Sequence, residues 1–114
     1  MNDQENSSKL QEIQIIEQNL QNILMQKQAL DLELGEVSNA FSEVSKTSGE
    51  IYKISGQIML KSDKESTLKS LEERKKILEL RNNAIDKQEK LLISRADEIK
   101  KEIDKSLPSR DKRD

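Results

Sequence analysis

Residues 13–44 read IQIIEQNLQNILMQKQALDLELGEVSNAFSEV. Taken in alternating steps of three and four, this stretch yields Ile13, Ile16, Leu20, Ile23, Lys27, Leu30, Leu34, Val37, Phe41 and Val44, and nine of those ten positions are apolar. The residues between them are mostly Gln, Glu, Asn and Ser. Such steps keep side chains on one stripe of a helix, and a stripe held in phase this long is the seam of a coiled coil. Gly35 interrupts it at a cost of about 1 kcal/mol relative to Ala. Because the phase is unchanged across Gly35, one continuous helix is predicted.

A second stripe begins at Leu68 and runs Leu68, Leu71, Lys75, Leu78, Asn82, Ile85, Glu89, Leu92, Ala96, Ile99 and Ile103. One of its two series, Leu71, Leu78, Ile85, Leu92 and Ile99, is unbroken, whereas the other carries Lys75, Asn82 and Glu89. Antiparallel pairing that brings Val44 near Leu68 sets Lys27 at the height of those polar positions. Polar seam residues lower stability and can fix register or partner. Equally, they are read as surface positions on a slightly drifting helix.

Between the stripes, Ile51-Tyr52-Lys53-Ile54 and Ile58-Met59-Leu60-Lys61 flank Ser55-Gly56-Gln57. β-Branched and aromatic residues around a Gly turn predict a β-hairpin, with Gly56 opening a two-residue loop. Gly49 suits the position just past a helix C-terminus. Ser62-Asp63-Lys64-Glu65 reads as a capping box, with Ser62 satisfying free amides of the next helix. The expected layout is a flexible tail over 1–8, helix over 9–48, hairpin over 49–62, helix over 63–107, and a flexible tail over 108–114 that starts at Pro108. The fold class is therefore all-α dominated: an antiparallel two-helix coiled-coil hairpin with a short β-hairpin at its bend.

Composition agrees with long helices. Hydrophobic residues make up 32% of the 114-residue chain and charged ones 37%, so a globular core would be thin. Disorder is the competing reading of such numbers. A net charge of −2, one Pro and three Gly argue for helix instead. Residues 1–57 carry 9 acids and 4 bases, residues 58–114 carry 13 acids and 16 bases, so two helices of opposite sign would attract modestly. The basic half interleaves its bases with acids, as a solvated helix face does, which disfavours nucleic acid. Without Cys or His, disulfides, thiolate metal sites and the commonest general base are excluded. No apolar run nears the roughly 20 residues of a membrane span, and the polar N-terminus is no signal peptide. A cytoplasmic location is expected, with no catalytic, cofactor or metal site.

The predicted shape makes demands of its own. A lone two-stranded hairpin is marginal in water and offers unpaired strand edges to any partner. Ile51, Tyr52, Ile54, Ile58, Met59 and Leu60 are thus the candidate oligomer interface, joining several chains in a larger sheet or barrel; a hairpin folded down onto its own helices is the other reading. Leu10, Ile13, Ile15 and Ile16 crowd the start of the first helix, and Ile99, Ile103 and Leu107 the end of the second. Since Leu10, Ile15 and Leu107 lie off the stripes, apolar surface should remain exposed there. Residues that merely complete the seam are the other reading.

Helix, β-hairpin, helix is also the plan of prefoldin subunits, and the local sequence is similar. Residues 51–61, IYKISGQIMLK, resemble that family's hairpin in the aliphatic-Tyr-Lys start, the central Gly and the aliphatic run ending in Lys. Residues 80–89, LRNNAIDKQE, resemble its second helix. A single hairpin points to the β-type subunit, archaeal-like, because the α-type carries two. The Ser-rich approach over 45–49 departs from the family pattern. The resemblance implies a heterohexamer of two α-type and four β-type subunits, whose hairpins form a β-barrel from which the coiled coils project. It implies an ATP-independent chaperone that captures unfolded proteins at the coiled-coil tips and passes them to a group II chaperonin. The tips correspond here to Leu10, Ile13, Ile15, Ile16, Ile99, Ile103 and Leu107. Of the alternatives, a structural coiled-coil adaptor between fixed partners ranks second. An RNA-binding coiled coil ranks third, for lack of stacking aromatics. No nucleophile–base constellation or phosphate loop suggests an enzyme.

Overall fold

A computed structural model describes residues 3–106. Their order is α1 (Asp3–Lys46), β1 (Ile51–Ser55), β2 (Ile58–Ser62) and α2 (Lys64–Ser106). Two long helices thus enclose a short antiparallel hairpin, as the periodicity and the Gly turn require.

The described residues divide into two compact units, 3–26 with 84–106, and 27–83. In the first, Ile13, Ile16, Ala96 and Ile99 form a buried cluster against which Leu20, Leu92 and Ile103 pack. Every one of these residues belongs to a predicted stripe. In the second unit Leu30, Val37 and Leu78 are buried, Leu78 completely. Leu34, Val44, Leu68 and Leu71 are half-buried beside them. Within each unit the helices run antiparallel: Lys9 pairs with Glu102 and Glu12 with Arg95 in the first, and Glu33 with Arg74 in the second. The polar stripe residues do not behave alike. Lys27, Asn82 and Glu89 are half-buried, while Lys75 is exposed, and at that position the drifting-surface reading holds.

The element boundaries differ from expectation at three places. Helix α1 starts at Asp3 and takes up most of the segment expected to be a tail over 1–8. That segment contains no Gly or Pro, and Asp3 and Glu5 in the first turn complement the helix dipole. Contacts with α2 then hold it, through Lys9 to Glu102 and Ser106 to Asn6. At its other end α1 stops at Lys46 without using Gly49, whose φ is not positive. The last turn is closed by hydroxyls instead: Ser45 Oγ donates to the Phe41 carbonyl at 2.7 Å and Thr47 Oγ1 to the Glu43 carbonyl at 2.8 Å. The third difference is the cap of α2. Asp63, not Ser62, accepts from a first-turn amide, that of Ser66 at 3.0 Å, and the Asp63 carbonyl takes the first helical bond, from the Thr67 amide at 2.9 Å. Ser62 is spent as the last residue of β2, so the cap moves one residue along. The expected helix end at Leu107 and the tail over 108–114 lie outside the described residues.

Candidate functional site

Two places carry the residues singled out above, the hairpin in one unit and the paired helix ends in the other.

In the hairpin, Ser55 faces Ile58, Ile54 faces Met59, Lys53 faces Leu60, Tyr52 faces Lys61 and Ile51 faces Ser62. Gly56 and Gln57 make the two-residue loop, with Gly56 at φ +61°. Gln57 has a negative φ, so the loop has the II′ form, which needs Gly first and follows the natural twist of the strands. A two-residue loop makes Ser55 and Ile58 a hydrogen-bonded pair, and bonded pairs then alternate along the ladder. The backbone groups of Tyr52 and Ile54 therefore point to the open edge of β1. Those of Met59 and Lys61 point to the open edge of β2.

Side chains of facing residues share a face of the sheet. One face carries Tyr52, Ile54, Met59 and Lys61, and the other Ile51, Lys53, Ser55, Ile58, Leu60 and Ser62. Both are apolar in large part, and they are exposed except near Ile51 and Ser62. Ile54 is 70% exposed, Ile58 and Met59 62%, and Tyr52 and Leu60 are also exposed. Of the six predicted interface residues, Ile51 alone is half-buried. It lines an open groove with Ala40, Val44 and Leu71.

Tyr52 also donates its hydroxyl to the Glu50 carboxylate, and Lys61 Nζ lies 3.3 Å from the same carboxylate. The Tyr52 bond first, then Lys61, holds Glu50 below the usual carboxylate range, while that bond pushes the Tyr52 hydroxyl up. This trio ties the residue before β1 to both strands, on the exposed surface.

At the helix ends the seven predicted residues separate by position. Leu10 and Ile15, two of the three off the stripes, are 52% and 57% exposed. Ile13, Ile16 and Ile99 are buried in the cluster, and Ile103 is partly buried against it. These four complete the seam, so as placed here they offer little surface to a client. Leu107 lies outside the described residues. The cluster is flanked by polar ties across the two helices. Lys9 Nζ sits 2.8 Å from Glu102, Arg95 Nη2 3.2 Å from both Glu12 oxygens, and the Ser106 hydroxyl donates to Asn6 Oδ1 at 3.0 Å. Lys9 above all holds Glu102 below the usual carboxylate range.

Exposed apolar residues that the sequence reading passed over are Leu24, Met25, Leu91 and Ile93 in this unit and Leu32, Ile77 and Leu80 in the other. Their signal was available: each is an apolar residue left over once the stripes are assigned.

The prefoldin subunit family model matches residues 4–110. The chain belongs to the prefoldin family. It is 35% identical over 102 residues to prefoldin subunit beta of Sulfurisphaera tokodaii, covering 88% of this chain and 82% of that protein. With prefoldin subunit beta of Pyrobaculum islandicum it shares 34% over 94 residues, 81% of this chain and 75% of that one. The crystal structure of the prefoldin beta subunit from Thermococcus strain KS-1 superposes with a TM-score of 0.85 at 30% identity, over 90% of this chain and 92% of that chain. The resemblance stated from residues 51–61 and 80–89 is thereby confirmed, with the β-type plan of two helices and one hairpin. A prefoldin-family chaperone role follows from membership. Among the described residues no helix is long and apolar enough to cross a membrane.

Proposed function

We propose that this prefoldin chain is one of four β-type subunits that join two α-type subunits through their hairpins in a β-barrel. The assembly captures unfolded proteins at the helix ends without ATP and passes them to a group II chaperonin in the cytoplasm. The observation that carries the assembly is the hairpin: five exposed apolar side chains on two faces of a two-stranded sheet with both edges open. Such a sheet is marginal alone, and strand addition closes its edges and covers its faces together. Leu10 and Ile15 support capture at the helix ends, since a receptor for varied unfolded chains needs accessible apolar surface of loose sequence requirement. Several weak contacts held in one oligomer then add through multivalency.

Two measurements test the reading. Native mass should rise to that of a heterohexamer when an α-type subunit is added. The complex, with no nucleotide present, should then suppress aggregation of a denatured client. A complex that forms and protects nothing would leave the chain as a structural adaptor.

A further inference from the structure

The junction between hairpin and helices contains a residue at odds with its local position. Lys64 is the first residue of α2, where the positive end of the helix dipole favours acids and disfavours cations. Its side chain does not stay with its own helix. It crosses to the end of α1 and donates from Nζ to the Thr47 carbonyl at 2.8 Å and the Ser45 carbonyl at 3.1 Å. The Ser45 carbonyl lies in the last turn of α1 and the Thr47 carbonyl belongs to the first residue beyond it, where such groups lack helical partners and the dipole has its negative end. The same ammonium is therefore misplaced for α2 and well placed for α1. Next to it in sequence, Asp63 caps α2 and the Ser62 and Thr67 hydroxyls bond to one another at 2.5 Å, so Lys64 links this connection of β2 to α2 with the end of α1.

We infer that Lys64 is a positioning residue: it clasps the outgoing end of α1 to the start of α2 and so sets the direction in which the hairpin is presented for assembly. The inference rests on the hairpin-mediated assembly proposed above. Without the clasp, residues 47–50 join α1 to β1 with no regular structure of their own, and the strand edges would sample many orientations.

The full-length chain with Lys64→Arg, Lys64→Met and Lys64→Glu, assembled with an α-type subunit, tests it. Amide hydrogen exchange over residues 47–51 reads the clasp, and the concentration at which the oligomer half-dissociates reads its consequence. Lys64→Met and Lys64→Glu should each speed exchange there about tenfold, the scale of a lost charge-assisted bond partly shielded from water. Both should raise the dissociation midpoint by a similar factor, and Lys64→Arg should restore much of each. Lys64→Glu is the sharpest variant, because an acid at the start of α2 improves that helix by its dipole. If Lys64 served α2 alone, Lys64→Glu would assemble as well as the parent, and the inference would fall. It would also fall if exchange over 47–51 did not change, or if exchange rose with the midpoint unmoved. Failure of the assembly reading is distinguishable: there the hairpin variant Ile54→Lys with Ile58→Lys would keep the parent's mass.

Discussion

The seam and the hairpin treat the same kind of side chain in opposite ways. Along the seam, Ile13, Ile16, Ile23, Leu30, Val37, Leu78, Ala96 and Ile99 are buried by their own chain. In the hairpin, Tyr52, Ile54, Ile58, Met59 and Leu60 are left in water. A helix satisfies its own backbone and needs one neighbour for its apolar stripe, and the other half of this chain supplies it. A two-stranded sheet has open edges and two faces, more than one chain of this size covers. The seam thus specifies the fold, and the hairpin leaves the apolar surface and strand edges that the proposed assembly would cover.

The largest effect should come from breaking the seam. Leu78 is fully buried and stands in the unbroken series of α2, so Leu78→Pro loses a helical bond, adds a clash and removes the packed side chain. The cost is about 3 kcal/mol for the backbone alone. Circular dichroism should show most of the helical signal lost. A largely intact helical spectrum would mean the seam is not what holds the fold.

Next comes the hairpin. Ile54 and Ile58 lie on opposite faces, so Ile54→Lys with Ile58→Lys charges both surfaces at once. The oligomer should dissociate by light scattering while helicity stays near the parent's. A parallel loss of helix would show that hairpin and seam fold as one, contrary to the contrast drawn here.

The helix ends separate the two kinds of apolar residue within one unit. Ile99→Ala should destabilise by about 2–5 kcal/mol, as a large-to-small change in a packed cluster does. Its effect on client protection should follow that loss of structure. Leu10→Ser with Ile15→Ser removes exposed surface, so the thermal midpoint should barely move while suppression of client aggregation weakens. If the exposed pair proves dispensable and client capture instead tracks opening of the cluster, Ile13, Ile16 and Ile99 are the contact residues after all.

How much of this was legible in the sequence follows from the same contrast. A stripe is a property of spacing, and the predicted positions from Ile13 to Val44 and Leu68 to Ile103 hold every buried residue among those described. The hairpin was legible because Gly56 sits between two β-branched runs. Caps were misread, since Asp63 and Ser62 both suit the role and the pairing of Ser62 with Ile51 in the sheet decides between them. The clasp of Lys64 could not be read at all: it joins residues 17 and 19 apart through a turn whose geometry only the folded chain fixes. Burial of Ile13, Ile16 and Ile99 was one of two open readings, and stripe membership was the clue that favoured it.

The smallest expected effect concerns the ion pairs flanking the cluster of the helix ends. Lys9 and Glu102 are half-buried, and an ion pair still reached by water contributes little, less still in salt. Their direction is nonetheless fixed. Glu102 is held below its ordinary value by the Lys9 bond, and a carboxyl depressed on folding stabilises the folded form above its unfolded pKa. That contribution is lost as pH falls through the depressed value, below the ordinary carboxylate range of about 4.3. Glu102→Gln should therefore lower stability slightly near pH 7 and make no difference at the acid extreme, where the parent carboxyl is itself neutral. Raising salt at pH 7 should shrink the same difference. Amide exchange over residues 9–16 is the sensitive readout, because it senses local opening that a global melt averages away. If Glu102→Gln left exchange over 9–16 unchanged at low salt and pH 7, the ion pair would be ornamental. The buried cluster alone would then set how readily the helix ends part.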